Sequence, residues 1–111
     1  MSARIASNVL VNALVRRANQ EGGFATVLAK GDATAGALLI IAQDRGEHAQ
    51  ALERGIGPDG KTALIRVGPV DDPAALTDYW TRRRRSDPDL WVVELDIAAA
   101  ERFAAETILQ T

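Results

Sequence analysis

The sequence predicts an α+β fold, in which a single, mostly antiparallel sheet of four to five strands has helices packed on it. Segments with the helical period of about 3.6 residues are interspersed with short segments that alternate or are wholly apolar, as strands do. The connections between most predicted strands are short and have turn residues, which favours antiparallel neighbours. The predicted order of elements is α-β-β-β-β-α-β-α.

Strands are predicted where alternation or a short apolar run is bounded by turn residues. These segments are residues 24–28, 37–41, 48–54, 62–67 and 90–95. The second segment is apolar on both faces, which is typical of a central strand covered on both sides. Residues 48–54 are the weakest candidate. Residues 30–36 are predicted to form a hairpin or bulge, in which the glycines provide unusual backbone angles.

Three helices are predicted, and the second has the clearest start. Residues 4–20 have an apolar stripe at helical spacing, which Gly22 and Gly23 end. Asp71-Asp72-Pro73 has the acidic N-cap and the first-turn proline of a helix that should run to about Arg85. Ser86-Asp87-Pro88 ends it, because the residue before proline avoids the helical region. Residues 98–109 form the predicted C-terminal helix.

Composition predicts one soluble globular domain over residues 1–111, with 47% hydrophobic and 25% charged residues. The net charge of −2 gives no overall attraction to nucleic acid or anionic lipid. The absence of cysteine excludes disulfides, thiolate catalysis and cysteine-based zinc sites. Polar residues interrupt the N-terminal apolar segment, so no signal peptide is expected, and the predicted location is cytoplasmic.

The four consecutive arginines Arg82–Arg85 could bind nucleic acid, a protein partner, or the rest of this domain. Successive helical residues are about 100° apart, so the four side chains fan around the helix and form no single stripe. Residues 71–89 also contain five aspartates, which leaves a local charge of −1. Positive charge in the last turn suits the helix dipole. We therefore favour a structural helix end, with partner or nucleic-acid contact as alternatives.

No pattern in the chain assigns catalysis, a cofactor or a metal. Residues 55–60 (GIGPDG) lack the ending of a phosphate-binding loop, and His48 is the only histidine. Glu94 and Asp96 lie two apart on a predicted strand, so they point to one face. With Asp32 or His48 they could bind a metal or a small molecule; a solvated edge strand is the simpler interpretation.

The favoured function is therefore a non-enzymatic module that binds an unknown protein partner or forms a homodimer. Aromatic and arginine side chains dominate interface energetics, and they concentrate on the second helix and the turn that follows it. The candidate contact residues are Tyr79, Trp80, Arg82, Arg84, Arg85, Asp87 and Trp91. Two alternatives stay open: nucleic-acid binding through Arg82–Arg85, and ligand or metal binding on the sheet near Glu94 and Asp96. No membrane contact is expected.

Several segments resemble a bacterial family of unknown function, the domain-of-unknown-function family numbered 1491. The most specific is residues 86–94 (SDPDLWVVE), and the others are Val15-Arg16-Arg17, the glycine pair before Phe24, and residues 30–37. The resemblance covers roughly residues 4–97 and implies a small soluble α+β bacterial cytoplasmic protein. It brings no activity, cofactor or catalytic residue. The segment 98–111 is expected to be an addition to the family core.

Overall fold

The computed structural model describes residues 5–109, which form three helices and five strands in the predicted order. The elements are α1 Ser7–Gln20, β1 Phe24–Ala29, β2 Leu38–Asp44, β3 Glu47–Ile56, β4 Thr62–Val70, α2 Pro73–Ser86, β5 Trp91–Asp96 and α3 Ala100–Ile108. The α+β prediction is confirmed. Residue 4, where the first helix was predicted to begin, lies outside the described residues.

The five strands form one sheet in the order β1-β5-β2-β3-β4. The strands β2, β3 and β4 form an antiparallel meander, and β5 returns after α2 to lie between β1 and β2. It pairs antiparallel with β1 and parallel with β2. The sheet is therefore mostly antiparallel, as predicted, with one parallel pair at its centre and with β1 and β4 as its edges.

The parallel pair is the most deeply buried part of the sheet. Residues 38–42 of β2 are all buried, and Val92, Val93 and Leu95 of β5 have no exposed surface. Such continuous burial is expected of strands with helices on both faces. The central strand predicted at residues 37–41 is thus β2, which runs from Leu38 to Asp44.

Helices cover both faces of the sheet. The helices α1 and α3 pack together on one face, where α3 also contacts β2, while α2 packs on the other face against β3 and β4. Each face has its own apolar cluster. The helix α3 contributes Phe103, Ala104 and Ile108 to the larger cluster, on the face that it shares with α1. The C-terminal helix is therefore part of the larger core. Within residues 5–109, no helix is long and apolar enough to cross a bilayer.

The ends of α1 and α2 are formed by the residues that predicted them. The carboxylate of Asp72 accepts a hydrogen bond from the Ala75 amide at 3.0 Å, and Pro73 is the first helical residue. At the end of α1, Gly22 has a φ of +87°, and the Gly23 amide donates to the carbonyl of Ala18 at 2.9 Å. This is the left-handed C-cap predicted from the glycine pair.

Several boundaries differ from the prediction. The weakest candidate, residues 48–54, is the ten-residue strand β3. It lies between β2 and β4, so hydrogen bonds on both sides hold it extended despite its polar composition. The helix α3 begins at Ala100 and not at residue 98, because Ala99 has a left-handed backbone with φ +52°. In these two elements, the pairing of the backbone and its dihedral angles determine the boundaries more than the pattern of side chains does.

The glycines of residues 30–36 serve close packing and not unusual backbone angles, contrary to the prediction. Neither Gly31 nor Gly36 has a positive φ. A Cβ atom added at either one would lie 2.1 or 2.2 Å from the carbonyl oxygen of Asp89. The Asp32 amide donates to that same oxygen at 3.0 Å. The loop is thus held against the turn that precedes β5, where any side chain on these glycines would collide.

Candidate functional site

Arg83 binds the sheet. Its guanidinium donates to both carboxylate oxygens of Glu53, at 2.8 and 2.9 Å, and to the Tyr79 hydroxyl at 3.0 Å. The hydrogen bond to Glu53 is the largest cause that raises the pKa of Arg83 above its usual value. A bidentate pair of this kind fixes geometry as well as adding energy. The second arginine of the block thereby joins α2 to β3.

Arg84 joins three segments of the chain. Its Nη1 donates to the carbonyl of Lys30 at 3.2 Å, to that of Leu90 at 3.1 Å, and to that of Pro88. These carbonyls lie just after β1 and just before β5. The Arg84 side chain therefore holds the end of α2 against the end of β1.

Arg82 and Arg85 are the two exposed members of the block. Neither makes a hydrogen bond or an ion pair with another residue in the range 5–109. Asp78 lies four residues before Arg82 on the same helix, and the two form no ion pair among these residues. These two side chains are available to a partner.

The other predicted contact residues are partly or wholly engaged within the domain. Trp91 is 4% exposed, and its Nε1 donates to the carbonyl of Asp32 at 2.7 Å. Tyr79 and Trp80 are half-buried against the α2-side cluster. The carboxylate of Asp87 accepts from the Asp89 amide at 3.1 Å. Partner contact by this set stays a prediction, with Arg82 and Arg85 as its most accessible members.

Asp96 caps the turn between β2 and β3. Its two carboxylate oxygens accept from the amides of Arg45 at 2.6 Å and Gly46 at 3.1 Å, and Gln43 donates to it at 3.3 Å. Arg45 and Gly46 both have positive φ, as a tight two-residue hairpin turn requires. The carboxylate thus stabilises a strained turn.

Of the residues proposed from the sequence as a possible ligand site, Asp32 does not converge with Glu94 and Asp96, whereas His48 and Asp96 line one depression. Asp32 lies beside Trp91 at the start of β5, whereas Asp96 is the last residue of that strand. Glu94 is half-buried on the face of β5 that includes Asp96. Within residues 5–109, no group of three or more His, Asp or Glu side chains is placed to hold a metal ion.

The edge strand β1 is a surface that sequence reasoning did not single out. Its residues, FATVLA, carry no charge. Phe24 is 71% exposed, Val27 41% and Leu28 38%. Within the described residues, β1 pairs only with β5, so its outer edge is open. The available signal was the absence of any charged residue between Glu21 and Lys30 in a strand that follows the first helix.

The opposite edge, β4, differs in chemistry. It contains Arg66, Pro69 and a left-handed Gly68 with φ +70°, and its register with β3 shifts close to that glycine. Charge, proline and bulges are the devices by which proteins discourage strand addition at an edge. A Cβ on Gly68 would lie 3.0 Å from the ring of Tyr79, so α2 packs closely on this part of β4. Only β4 is well protected.

A shallow depression of about 770 Å³ adjoins the first residue of β1. Four carboxylates line it, from Glu21, Asp44, Glu47 and Asp96, together with Arg45 and His48. The opposite end of β1 meets Arg84 through the Lys30 carbonyl. The open edge therefore has an acidic end and a more basic end.

Comparisons with known proteins agree on one family. Residues 5–105 match the family described as "Protein of unknown function (DUF1491)". A crystal structure of a DUF1491 protein from Caulobacter crescentus is similar at a TM-score of 0.74 and 36% identity, over 83% of this chain and 87% of that one. An NMR structure of a DUF1491 protein from that organism is similar at a TM-score of 0.77 and 36% identity, over 92% of this chain and 94% of that one.

A solution structure of an A. tumefaciens protein is similar at a TM-score of 0.69 and 27% identity, over 85% of this chain and 86% of that one. No curated protein matches the chain. The family match covers α1, α2 and all five strands, and ends at Ala105 within α3. The chain therefore belongs to the DUF1491 family of proteins of unknown function.

Proposed function

We propose that this protein is a non-enzymatic interaction module that binds a protein partner by strand addition at the outer edge of β1. Self-association is one form of this function. The observation that carries the proposal is the contrast between the two sheet edges: β1 is apolar and uncharged, whereas β4 contains a charge, a proline and a bulge.

Strand addition uses two features that β1 offers together. The backbone amides and carbonyls along an unpaired edge supply affinity, and exposed side chains at alternate positions supply specificity. Phe24, Val27 and Leu28 are exposed on this edge strand. A partner strand would remove apolar surface from water while completing the hydrogen bonds of the sheet.

Support for a non-enzymatic role comes from what the polar side chains already do. Arg83 and Arg84 hold α2 in place, and Asp96 caps a turn. A catalytic group needs a position from which it can reach a substrate. These three residues instead form hydrogen bonds with other groups of the domain.

The two exposed arginines predicted as contact residues on α2, Arg82 and Arg85, belong to the helix end that Arg84 joins to the end of β1. Arginines at the rim of an interface affect the rate and orientation of association more than its final affinity. We assign them that auxiliary part.

The test compares the natural chain with Val27→Lys and with Val70→Lys, a matched control on the protected edge, where Val70 is 46% exposed. Sedimentation velocity of the purified proteins and capture from a bacterial extract are the two readouts. Association in either readout should survive Val70→Lys and be lost with Val27→Lys. The proposal is wrong if the natural chain associates with nothing in both readouts, or if the two variants behave alike while both stay folded by thermal melt.

A further inference from the structure

We infer that the strand added at the β1 edge comes from a second copy of this chain, paired antiparallel about a two-fold axis at Thr26. The inference rests on the proposed function and names its partner. Such an interface is isologous, so each contact occurs twice and the strand must be complementary to itself. Three properties of β1 and its flanks meet that requirement.

The first property is the position of the exposed apolar side chains. With Thr26 on the axis, Phe24 lies opposite Leu28 of the second copy, and Ala25 lies opposite Val27. Phe24 and Leu28 are 71% and 38% exposed, so the register covers an exposed aromatic side chain with an exposed aliphatic one. Aromatic and aliphatic side chains directly opposite each other stabilise antiparallel pairs. The register of β1 with β5 shifts between Val27 and Ala29, so Leu28 lies at an irregularity of the strand.

The second property is the sign of the flanking charges. Glu21 precedes β1 and Lys30 follows it, and both are exposed. The antiparallel register at Thr26 places Lys30 beside Gly22 of the second copy, next to its Glu21. A parallel arrangement would instead bring like charges together. Exposed ion pairs are weak, so these two pairs select the orientation more than they hold the dimer.

Neither charge is committed elsewhere in a way that prevents this contact. One oxygen of Glu21 binds Arg17 at 3.3 Å, in an exposed helix pair. The Lys30 ammonium makes no hydrogen bond or ion pair with any residue from 5 to 109, since only the Lys30 carbonyl is used, by Arg84. Both side chains can therefore face a neighbour.

The third property is the difference in charge between the two ends of the β1 edge. The depression beside Phe24 is lined by four carboxylates together with Arg45 and His48, and the far end has Lys30 and Arg84. Asp32 and Asp89 lie at that far end too and offset its positive charge, so the end beside Phe24 is the more negative of the two. The remaining difference again favours two copies running in opposite directions. A single strand pair is a small contact, so we expect a weak, concentration-dependent dimer.

A disulfide test is available because the chain contains no cysteine. In Thr26→Cys, the two new thiols face each other across the two-fold axis. Opposite residues of an antiparallel pair lie about 4.5–5.5 Å apart at Cα, within the range that a disulfide spans. Mild oxidation should convert Thr26→Cys into a covalent dimer much faster than Thr62→Cys, a control on the other edge strand. Equal rates for the two variants would contradict the inference.

Charge reversal tests the orientation by sedimentation equilibrium. Lys30→Glu or Glu21→Lys alone should weaken the dimer by about two- to tenfold, because two exposed ion pairs are lost. The double variant should restore it, while Lys61→Glu, an exposed lysine before β4, should leave it unchanged. A strictly monomeric natural chain, or a double variant weaker than both singles, overturns the inference. Proteins captured from an extract through β1 by such a monomer would leave the proposed function standing.

Discussion

The two faces of the sheet are joined to their helices in different ways. On the face covered by α1 and α3, fifteen buried apolar residues form one cluster, whereas seven form the cluster under α2. The helix α1 buries five residues, while α2 buries only Leu76. Apolar burial therefore stabilises the first face far more than the second.

Polar contacts take a larger share on the α2 face. Asp72 caps the start of α2, and Arg83 and Arg84 fasten its end to Glu53 and to three backbone carbonyls. On the other face, Arg17 is the comparable residue: it donates to Thr107 at 2.6 Å and lies 4.7 Å from the centre of the Phe103 ring. The arginine block thus lies on the helix that buries little apolar surface, where polar contacts attach the helix to the sheet.

The largest expected effect lies on the apolar face. Leu14 of α1 is fully buried, so Leu14→Ala should lower the free energy of unfolding by about 2–5 kcal/mol, through lost burial and the cavity left behind. Urea denaturation measures it. Val9→Ala on the same helix is the control, because Val9 is 53% exposed and should change stability little. Equal losses for the two variants would contradict the assignment of the larger core.

The second effect concerns the polar fastening of α2. Arg83→Met removes the hydrogen bonds to Glu53 and Tyr79 and leaves the half-buried carboxylate without its partner. We expect a loss of roughly 1–2 kcal/mol in unfolding free energy. Arg82→Met is the matched control and should cost less than about 0.5 kcal/mol, since Arg82 is exposed.

A double-mutant cycle with Glu53→Gln separates this pair from changes in packing. A coupling energy near zero between Arg83 and Glu53 would mean that the pair does not hold α2, and that the contrast between the two faces is only one of apolar area.

The smallest of the three effects is at the helix start. Asp72→Ala deletes the acceptor for the Ala75 amide and should cost about 1 kcal/mol. Asp78→Ala, an exposed position within the same helix, should be neutral or slightly stabilising because alanine is the better helix former. Faster amide exchange confined to the first turn of α2 would locate the loss. Uniform exchange across α2 would instead assign Asp72 a role in anchoring the entire helix.

Local chemistry in the chain was enough to predict the fold class, the order of elements and most helix ends. Asp72-Pro73 and Gly22-Gly23 act on neighbouring backbone atoms, so their effect is readable without a tertiary structure. The central strand was also readable, because a run that is apolar on both faces requires cover on both sides. The family likeness came from residues 86–94, where the end of α2, a turn and the start of β5 follow one another.

The candidate site could not be read in the same way. The partners that hold Arg83 and Arg84 inward, while Arg82 and Arg85 face solvent, include Glu53 and the carbonyl of Lys30, which are distant in sequence. Positions 31 and 36 likewise require glycine because the carbonyl of Asp89, more than fifty residues away in the chain, lies against them.

Sequence alone determined the order of the helices and strands, because short-range backbone and side-chain energies act within a few residues. The extent of β3 depended on its pairing with both neighbouring strands. Tertiary structure decided which strand is left at the edge. The strand β5 pairs with the uncharged β1 on one side, and no strand within residues 5–109 pairs with it on the other. The open edge, on which the proposed function depends, follows from that long-range pairing and from no residue of β1 by itself.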